Sequence, residues 1–115
     1  MAVNDFCSGL PVASEAALVS PASMFRFAEN FMLAVYDSEH DLGLWLHLGT
    51  CPDDFGLWED QVLIAMPGVE GFLWSTSYSR TPAARRPAGA NLAFRCVEPF
   101  RRWQVSADGA GVQSP

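Results

Sequence analysis

The sequence predicts an all-β fold, an antiparallel meander that forms part of a barrel or of a two-sheet sandwich. Residues 42–49 alternate strictly between leucine and other residues, which is the pattern of a strand with one buried face. Further short runs rich in aromatic and β-branched residues follow, separated by Gly, Pro and Asp. The chain has 115 residues, 50% of them hydrophobic, which is enough for one domain with its own core.

The first 27 residues predict a loosely ordered arm. They are rich in Ala, Ser, Val and Pro and lack a clean periodicity, although residues 14–18 could form one helical turn that Pro21 would end. The pattern changes at Ala28, where a β-module of about six strands begins that extends to Gly109. The predicted strands are 30–36, 42–48, 59–66, 72–78, 91–97 and 100–106.

Short segments connect most of these strands, so neighbours along the chain are expected to pair antiparallel. The segment 51–56 is expected to be a loop, and 79–90 is a long polar connection of the kind that is often functional. Asp108 and Gly109 predict a tight turn, but the tail 110–115 is too short and polar to predict a strand. We therefore expect an incomplete β-module in a chain that stops within a domain.

The charges are divided between two halves of the chain. Residues 1–70 carry about −10 and residues 71–115 about +4, and every base is an arginine. The net charge of −6 disfavours binding to phosphate backbones, so no nucleic-acid partner is predicted. The two halves are expected to attract one another in the fold.

The cysteines predict neither a disulfide framework nor a metal site. Cys7, Cys51 and Cys96 are odd in number and widely spaced, which favours free thiols in a reducing compartment for Cys51 and Cys96. His47 lies four residues before Cys51, but no second pair of ligands completes a zinc site. Glycine-rich phosphate loops are absent, so no cofactor is predicted. No apolar run is long enough for a membrane span and no signal peptide is evident, so we expect a cytoplasmic location.

Several segments of the module follow a recurring order. They are residues 29–31, the alternating strand 42–49, the pair 67–68, the run 98–105 with its Glu-Pro pair and Trp, and the Asp-Gly turn 108–109. In this order the chain resembles the N-terminal part of the lipocalin-like carotenoid 1,2-hydratase superfamily. The resemblance implies a lipocalin-like barrel or sandwich within a protein about three times longer, built from two such units.

The resemblance also implies chemistry on an apolar, isoprenoid- or sterol-like molecule. A hydratase protonates an alkene and captures the cation with water, which calls for a carboxylic acid with a raised pKa and nearby aromatic faces. The candidate catalytic residues are His47, Glu59 and Asp60, and the candidate ligand-binding residues are Trp45, Trp58 and Trp74. The histidine and the acidic residues also have a structural interpretation, as a histidine packed on a tryptophan, a solvated acidic loop or a strand-edge charge.

The segment with the most specific resemblance also has a structural interpretation. Glu98 is predicted to form an ion pair with Arg101 or Arg102 that ties the bend at Pro99 to the sheet. Trp103 in the following strand is assigned to the same structural group.

Two classes of function follow from these patterns. The first is a β-module that binds or transforms an apolar small molecule as part of a longer protein, by hydratase or isomerase chemistry if it is an enzyme. The second is a noncatalytic interaction or structural domain whose partner is a second β-domain or another copy of the chain, or a fragment without independent activity.

Overall fold

Seven strands occur in the part of the chain that the structure describes, which is residues 9–15, 26–109 and 112–114 of a computed structural model. Two short 3-10 helices, Val12–Glu15 and Ala83–Arg85, accompany them, and the described residues contain no α-helix. The predicted all-β class is confirmed. The strands are β1 Asn30–Asp37, β2 Leu42–Cys51, β3 Asp54–Ala65, β4 Phe72–Arg80, β5 Leu92–Glu98, β6 Arg102–Ala107 and β7 Val112–Ser114.

The strands form two sheets. The larger sheet has the order β1-β2-β3-β4-β7 with every neighbouring pair antiparallel, and β5 pairs with β6 in a separate two-stranded sheet. Strands β1 to β4 are a meander, as predicted, because a short turn joins each to the next. The described strands do not close into a barrel, so β1 and β7 lie at the edges of the larger sheet.

Strand β3 begins earlier than the sequence predicted, and most of the expected loop 51–56 belongs to strands. The register between β2 and β3 shifts at this point, because Thr50 pairs with Trp58 whereas Cys51 pairs with Asp54. Such an irregularity places extra residues on one strand without ending the ladder. The composition of this segment correctly predicted a turn, but the turn is much shorter than the six-residue loop that was expected.

The expectation that no strand follows the turn at Asp108 and Gly109 is wrong. Strand β7 pairs with β4, from Phe72 opposite Ser114 to Trp74 opposite Val112. The chain therefore returns from the smaller sheet to the edge of the larger one. A three-residue strand depends on backbone hydrogen bonds and needs no alternation of side chains, so the sequence pattern could not indicate it.

The core lies between the two sheets. The leucines of β2 supply its centre, as their alternation predicted, with Leu46 and Leu48 almost fully buried. The ring of Phe31 on β1 lies 5.8 Å from the rings of both Phe94 and Trp103, which links the two sheets. We call this side of the larger sheet the core face and the opposite side the outer face. The buried cluster consists of Leu46, Leu48, Trp58, Leu92 and Phe94.

The turn between β5 and β6 carries the predicted ion pair. The Arg101 guanidinium lies 3.0 Å from the Glu98 carboxylate, across the bend at Pro99. The backbone N–H of Phe100 in the same turn donates to Glu15 Oε2 at 2.6 Å, so part of the N-terminal arm contacts this hairpin. Glu98 and Arg101 therefore form the ion pair that the sequence predicted, and the partly buried Trp103 packs against the core.

The structure describes the N-terminal arm and the C-terminal tail only in part. Of the helical turn expected at residues 14–18, Ser14 and Glu15 belong to the first 3-10 helix, and residues 16–18 lie outside the described residues. Within the described ranges, none of the helices has the length and apolar character that crossing a membrane requires.

Candidate functional site

A buried carboxyl group joins the two sheets. Asp60 lies on β3 opposite Leu48 and is 0% exposed, so it points from the core face toward the smaller sheet. Its Oδ2 accepts hydrogen bonds from the backbone N–H groups of Asn91 at 2.6 Å and Leu92 at 3.1 Å. These two donors stand where β5 begins. Asp60 thereby fixes the place at which the second sheet starts, and its burial is compensated by these bonds.

The side chain of Asn91 extends this polar contact across the core face. Its Nδ2 donates to Ser77 Oγ at 2.9 Å and lies 3.3 Å from Ser75 Oγ and 3.4 Å from Asp60 Oδ1. Ser75 and Ser77 alternate on β4 and face the same side as Asp60, because Asp60 pairs with Ser77. A small hydrogen-bonded network therefore sits among otherwise apolar neighbours.

The long connection before β5 is held at defined points. Thr81 is almost fully buried, and its hydroxyl donates to the carbonyl of Ala88 at 2.6 Å. Arg86 Nε donates to the carbonyl of Thr81 at 2.9 Å, and its guanidinium carbon lies 5.6 Å from the centre of the Phe55 ring. These contacts bring Asn91 to the core face of β3 and β4.

A cleft of about 180 Å³ opens beside the network, between β3, β4 and the end of β6. Its walls are mainly apolar, and Asn91 and Ser75 contribute polar groups to them. Asp108 and Gly109 form one rim, and Trp74 also borders the space. An apolar concavity with a few converging polar groups is the usual form of a small-molecule site. The remaining lining residues are Val62, Ile64, Leu73 and Ala107.

The sequence-predicted residues Trp45, His47 and Glu59 lie on the outer face, away from this cleft. The rings of Trp45 and His47 stack at 5.8 Å with an interplanar angle of 9°, as the structural interpretation of His47 expected. Glu59 pairs with Gly49, two residues from His47, and accepts a hydrogen bond of 2.5 Å from the hydroxyl of Tyr78. The bond to Glu59 and its negative charge raise the pKa of Tyr78.

One ring nitrogen of His47 contacts a neighbouring side chain and the other is buried. Nε2 lies 3.2 Å from Asn30 Oδ1, an acceptor that favours the tautomer with its proton on Nε2. Nδ1 is buried and has no hydrogen-bond partner among the described residues. The arrangement supports packing on Trp45 more directly than acid–base chemistry.

The other predicted site residues are divided between the faces. Trp58 is 0% exposed in the core, with its ring 6.5 Å from that of Phe55, so it has no surface for a ligand. Asp60 faces the core whereas its neighbour Glu59 faces outward, because successive strand residues point to opposite sides. The structure therefore brings His47 and Glu59 to one face but does not bring Asp60 to them. Among the three predicted tryptophans, only Trp74 borders the cleft, although its pairing with Leu63 places its side chain on the outer face.

The thiol of Cys51 is not activated. Burial, followed by the charges of Glu59 and Asp54, raises its pKa. A thiol becomes nucleophilic when its pKa is lowered, so these surroundings oppose reactivity. Cys51 and Cys96 are free, as the sequence predicted.

Asp54 and Arg80 form an ion pair between the acidic and basic halves of the chain. Arg80 donates to both carboxylate oxygens, at 3.0 and 2.5 Å, and these bonds hold the pKa of Asp54 below its usual value. This ion pair is one contact of the kind expected from the attraction between the acidic and basic halves of the chain.

Replacing Arg80 with methionine is expected to destabilise the protein slightly at neutral pH and not at all in strong acid. A carboxyl whose pKa is lower in the folded state stabilises the fold above its unfolded pKa. That contribution is lost as the pH falls through the folded pKa, and it is small because both side chains are well exposed. Urea unfolding of wild type, Arg80→Met and the control Arg85→Met across this range measures it. A difference independent of pH would contradict this account.

The turn between β1 and β2 places three potential ligand atoms close together. Side-chain atoms of Asp37, Glu39 and His40 lie within 4.8 Å of one another. His40 Nδ1 is 2.7 Å from Asp37 Oδ2, and the bond to His40 lowers the pKa of Asp37. Asp37 Oδ1 also accepts the backbone N–H of Glu39 at 3.0 Å. These bonds account for the cluster as a turn-stabilising arrangement.

Comparisons of the chain with protein-family models, with curated proteins and with solved structures found no match. The resemblance to the carotenoid hydratase superfamily therefore stays a prediction that rests on the sequence segments alone.

The residues that line the cleft were mostly missed by sequence reasoning. Asn91 stood at the expected start of a strand, and Ser75 and Ser77 matched ordinary strand alternation. The available signal was a polar residue on a strand face that is otherwise apolar. Asp60, which shares the core face of β3 with Ile64, is such a residue. Which of these residues meet depends on how the second sheet folds back, which no local pattern encodes.

Proposed function

We propose that the protein binds a small, mainly apolar molecule in the cleft between β3, β4 and the end of β6. The observation that carries this proposal is the convergence of apolar side chains from β3 and β4 on the fixed polar groups Asn91 and Ser75. The bonds from Asn91 to Asp60 and to the serines hold the polar groups in place before a ligand arrives. Preorganised groups lose little entropy on binding, which favours affinity.

The volume of the cleft sets the size of the ligand. An enclosed apolar cavity of roughly 150 Å³ accepts benzene, and this cleft measures about 180 Å³. Pockets that enclose larger ligands measure roughly 300–1,000 Å³. The ligand that fits is therefore a short isoprenoid, or one end of a longer isoprenoid chain whose remainder lies in solvent. A sterol would exceed this space.

The lining residues suit binding better than catalysis. Of the predicted catalytic residues, His47 and Glu59 lie on the outer face, and Asp60 is covered by Asn91 and Leu92. Ser75 Oγ accepts from Asn91, so its own hydroxyl hydrogen would donate to a ligand oxygen. We therefore propose reversible binding of an apolar molecule with one oxygen function, without a chemical step.

Calorimetric titration with geraniol, an isoprenoid alcohol, tests this proposal. The expected Kd is on the order of 0.1 mM, since a ligand of this size gains only a fraction of a kcal/mol per atom. Leu73→Trp should abolish binding, because the larger side chain fills the cleft. Thr76→Trp is the matched control, since Thr76 lies on the same strand but on the outer face, and it should bind as wild type does.

A second pair of ligands tests the polar contact. Ser75→Ala is expected to weaken geraniol binding about three- to tenfold, as the loss of one hydrogen bond would. Limonene, a hydrocarbon of similar size, should bind wild type and Ser75→Ala equally. Equal binding of geraniol to wild type and Leu73→Trp would show that the cleft is not the site.

A further inference from the structure

The outer edge of β1 carries unpaired backbone groups. In an antiparallel strand, the N–H and C=O groups of alternate residues point to opposite sides. The carbonyl of Glu29 accepts the N–H of Thr50 at 2.9 Å. The backbone N–H and C=O groups of the odd-numbered residues of β1 therefore point toward β2. The even-numbered residues Asn30, Met32, Ala34 and Tyr36 therefore direct their backbone groups away from β2, where no described strand lies.

This edge lacks the features that usually prevent strand addition. Proteins protect exposed edges with lysine, proline, bulges or very short strands. Residues 31–36 contain no charged residue and no proline, and the eight pairs between β1 and β2 run without a register shift. Three large apolar side chains are exposed along this strand, Met32 at 62%, Val35 at 42% and Tyr36 at 66%.

We propose that β1 pairs antiparallel with β1 of a second copy of this chain, about a two-fold axis at Leu33. In this register Met32 pairs with the partner's Ala34, and Asn30 pairs with the partner's Tyr36. All four residues with free backbone groups then form hydrogen-bonded pairs, which gives eight new hydrogen bonds between the copies. The result is one continuous sheet that contains the larger sheets of both molecules.

The register also keeps each face of the sheet consistent. Odd-numbered residues meet odd-numbered residues, so the core faces of both copies lie on the same side. Val35, exposed on the core face, is then opposite the partner's Phe31, and Leu33 is opposite the partner's Leu33. A shift of this register by one residue would place core-face side chains of one copy opposite outer-face side chains of the other.

A second copy fits this edge better than an unrelated strand does. The edge is self-complementary, which is the requirement of a two-fold interface. Each molecule has a net charge of −6, and the uncharged stretch 31–36 is where two copies can approach without facing like charges. Like charges do face each other at the ends of the strand, where Glu29 would lie opposite the partner's Asp37.

Sedimentation equilibrium of the 115-residue chain, from micromolar to near-millimolar concentration, tests the proposal. We expect a reversible monomer–dimer equilibrium. Ala34→Pro removes an N–H that faces away from β2, so the monomer should fold while the Kd of the dimer rises about tenfold or more. Met32→Lys should have a similar effect through charge repulsion. Thr76→Lys, on the outer face of β4, is the control and should leave the Kd unchanged.

Disulfide trapping tests the register. Residue 33 lies on the two-fold axis as a non-hydrogen-bonded pair, where the short Cα separation suits a disulfide. Leu33→Cys should form a covalent dimer under mild oxidation. Val35→Cys is the matched control on the same strand and face, and it should not, because the two copies of residue 35 are four positions out of register. Wild type under the same oxidation accounts for Cys7, Cys51 and Cys96.

Glu29→Gln provides an independent measurement in the opposite direction. It removes the repulsion from the partner's Asp37, so the Kd of the dimer should fall about twofold to fivefold. The proposal is overturned if wild type stays monomeric throughout the concentration range. It is also overturned if Ala34→Pro, folded by circular dichroism, dimerises as wild type does, or if Val35→Cys cross-links as efficiently as Leu33→Cys.

Discussion

Asp60→Ala is expected to lower the free energy of unfolding by about 3–5 kcal/mol. The substitution leaves the backbone N–H groups of Asn91 and Leu92 without their acceptor inside the protein. It also leaves space where a carboxyl group with no exposed surface was packed. Urea unfolding followed by far-UV circular dichroism measures the loss. Because domains of this kind are stabilised by only about 5–15 kcal/mol, the variant is expected to unfold at far lower urea.

Asp60→Asn separates the hydrogen bonds from the packing. The asparagine oxygen can still accept both backbone donors, so the expected loss is smaller, about 1–2 kcal/mol. Gly89→Ala tests the same contact from the other side, since its Cβ would lie 2.5 Å from Asp60 Oδ2. The cost of Gly89→Ala should be lower when Asp60 is already alanine. If the two costs are additive, the close approach of Gly89 and Asp60 does not determine this part of the fold.

Trp58→Ala is expected to cost about 3–5 kcal/mol, the usual loss for a fully buried aromatic side chain. Trp58 is 0% exposed and belongs to the cluster that joins the sheets through Leu48 and Phe94. Its indole Nε1 has no hydrogen-bond partner among the described residues, so the contribution of the side chain comes from packing. Circular dichroism during urea unfolding is the suitable probe, since tryptophan emission changes with the substitution itself.

Trp58→Phe should retain most of this stability. Phenylalanine fills much of the same space and removes an N–H that has no partner in the described part of the chain, so a loss of about 1–2 kcal/mol is expected. Trp45→Ala on the outer face provides the comparison, and its cost should be smaller than that of Trp58→Ala, because Trp45 is only partly buried. Equal costs at the two positions would contradict the assignment of Trp58 to the core.

The sequence predicted strands β1 to β4 because their signals are local. The leucine alternation of β2 identified a buried face, and Leu46 and Leu48 are the residues that fill the core. The start of β3 was misplaced because a register shift after Thr50 allowed Gly56 to remain within a strand. β7 was missed because the free edge of β4, which it extends, lies far away along the chain.

The candidate site was harder to predict because it depends on contacts between distant segments. Asp60 was singled out as an acid, but its partners Asn91 and Leu92 are more than thirty residues away. His47 was placed correctly beside Trp45, since alternation fixes which side chains share a strand face. Trp58 was expected to bind a ligand, yet its position on the core face buries it completely. Aromatic residues alone do not distinguish a binding surface from a core.

Methyl-resolved NMR of the protein during titration with geraniol tests the central claim most directly, which is that the cleft between the sheets binds an apolar molecule. We predict saturable shifts in the methyl groups of Val62, Ile64 and Leu73, which line the cleft, and none at Met32, which is exposed on the outer face. Shifts confined to Met32 and its neighbours, or no saturable shift at any methyl group, would contradict the claim.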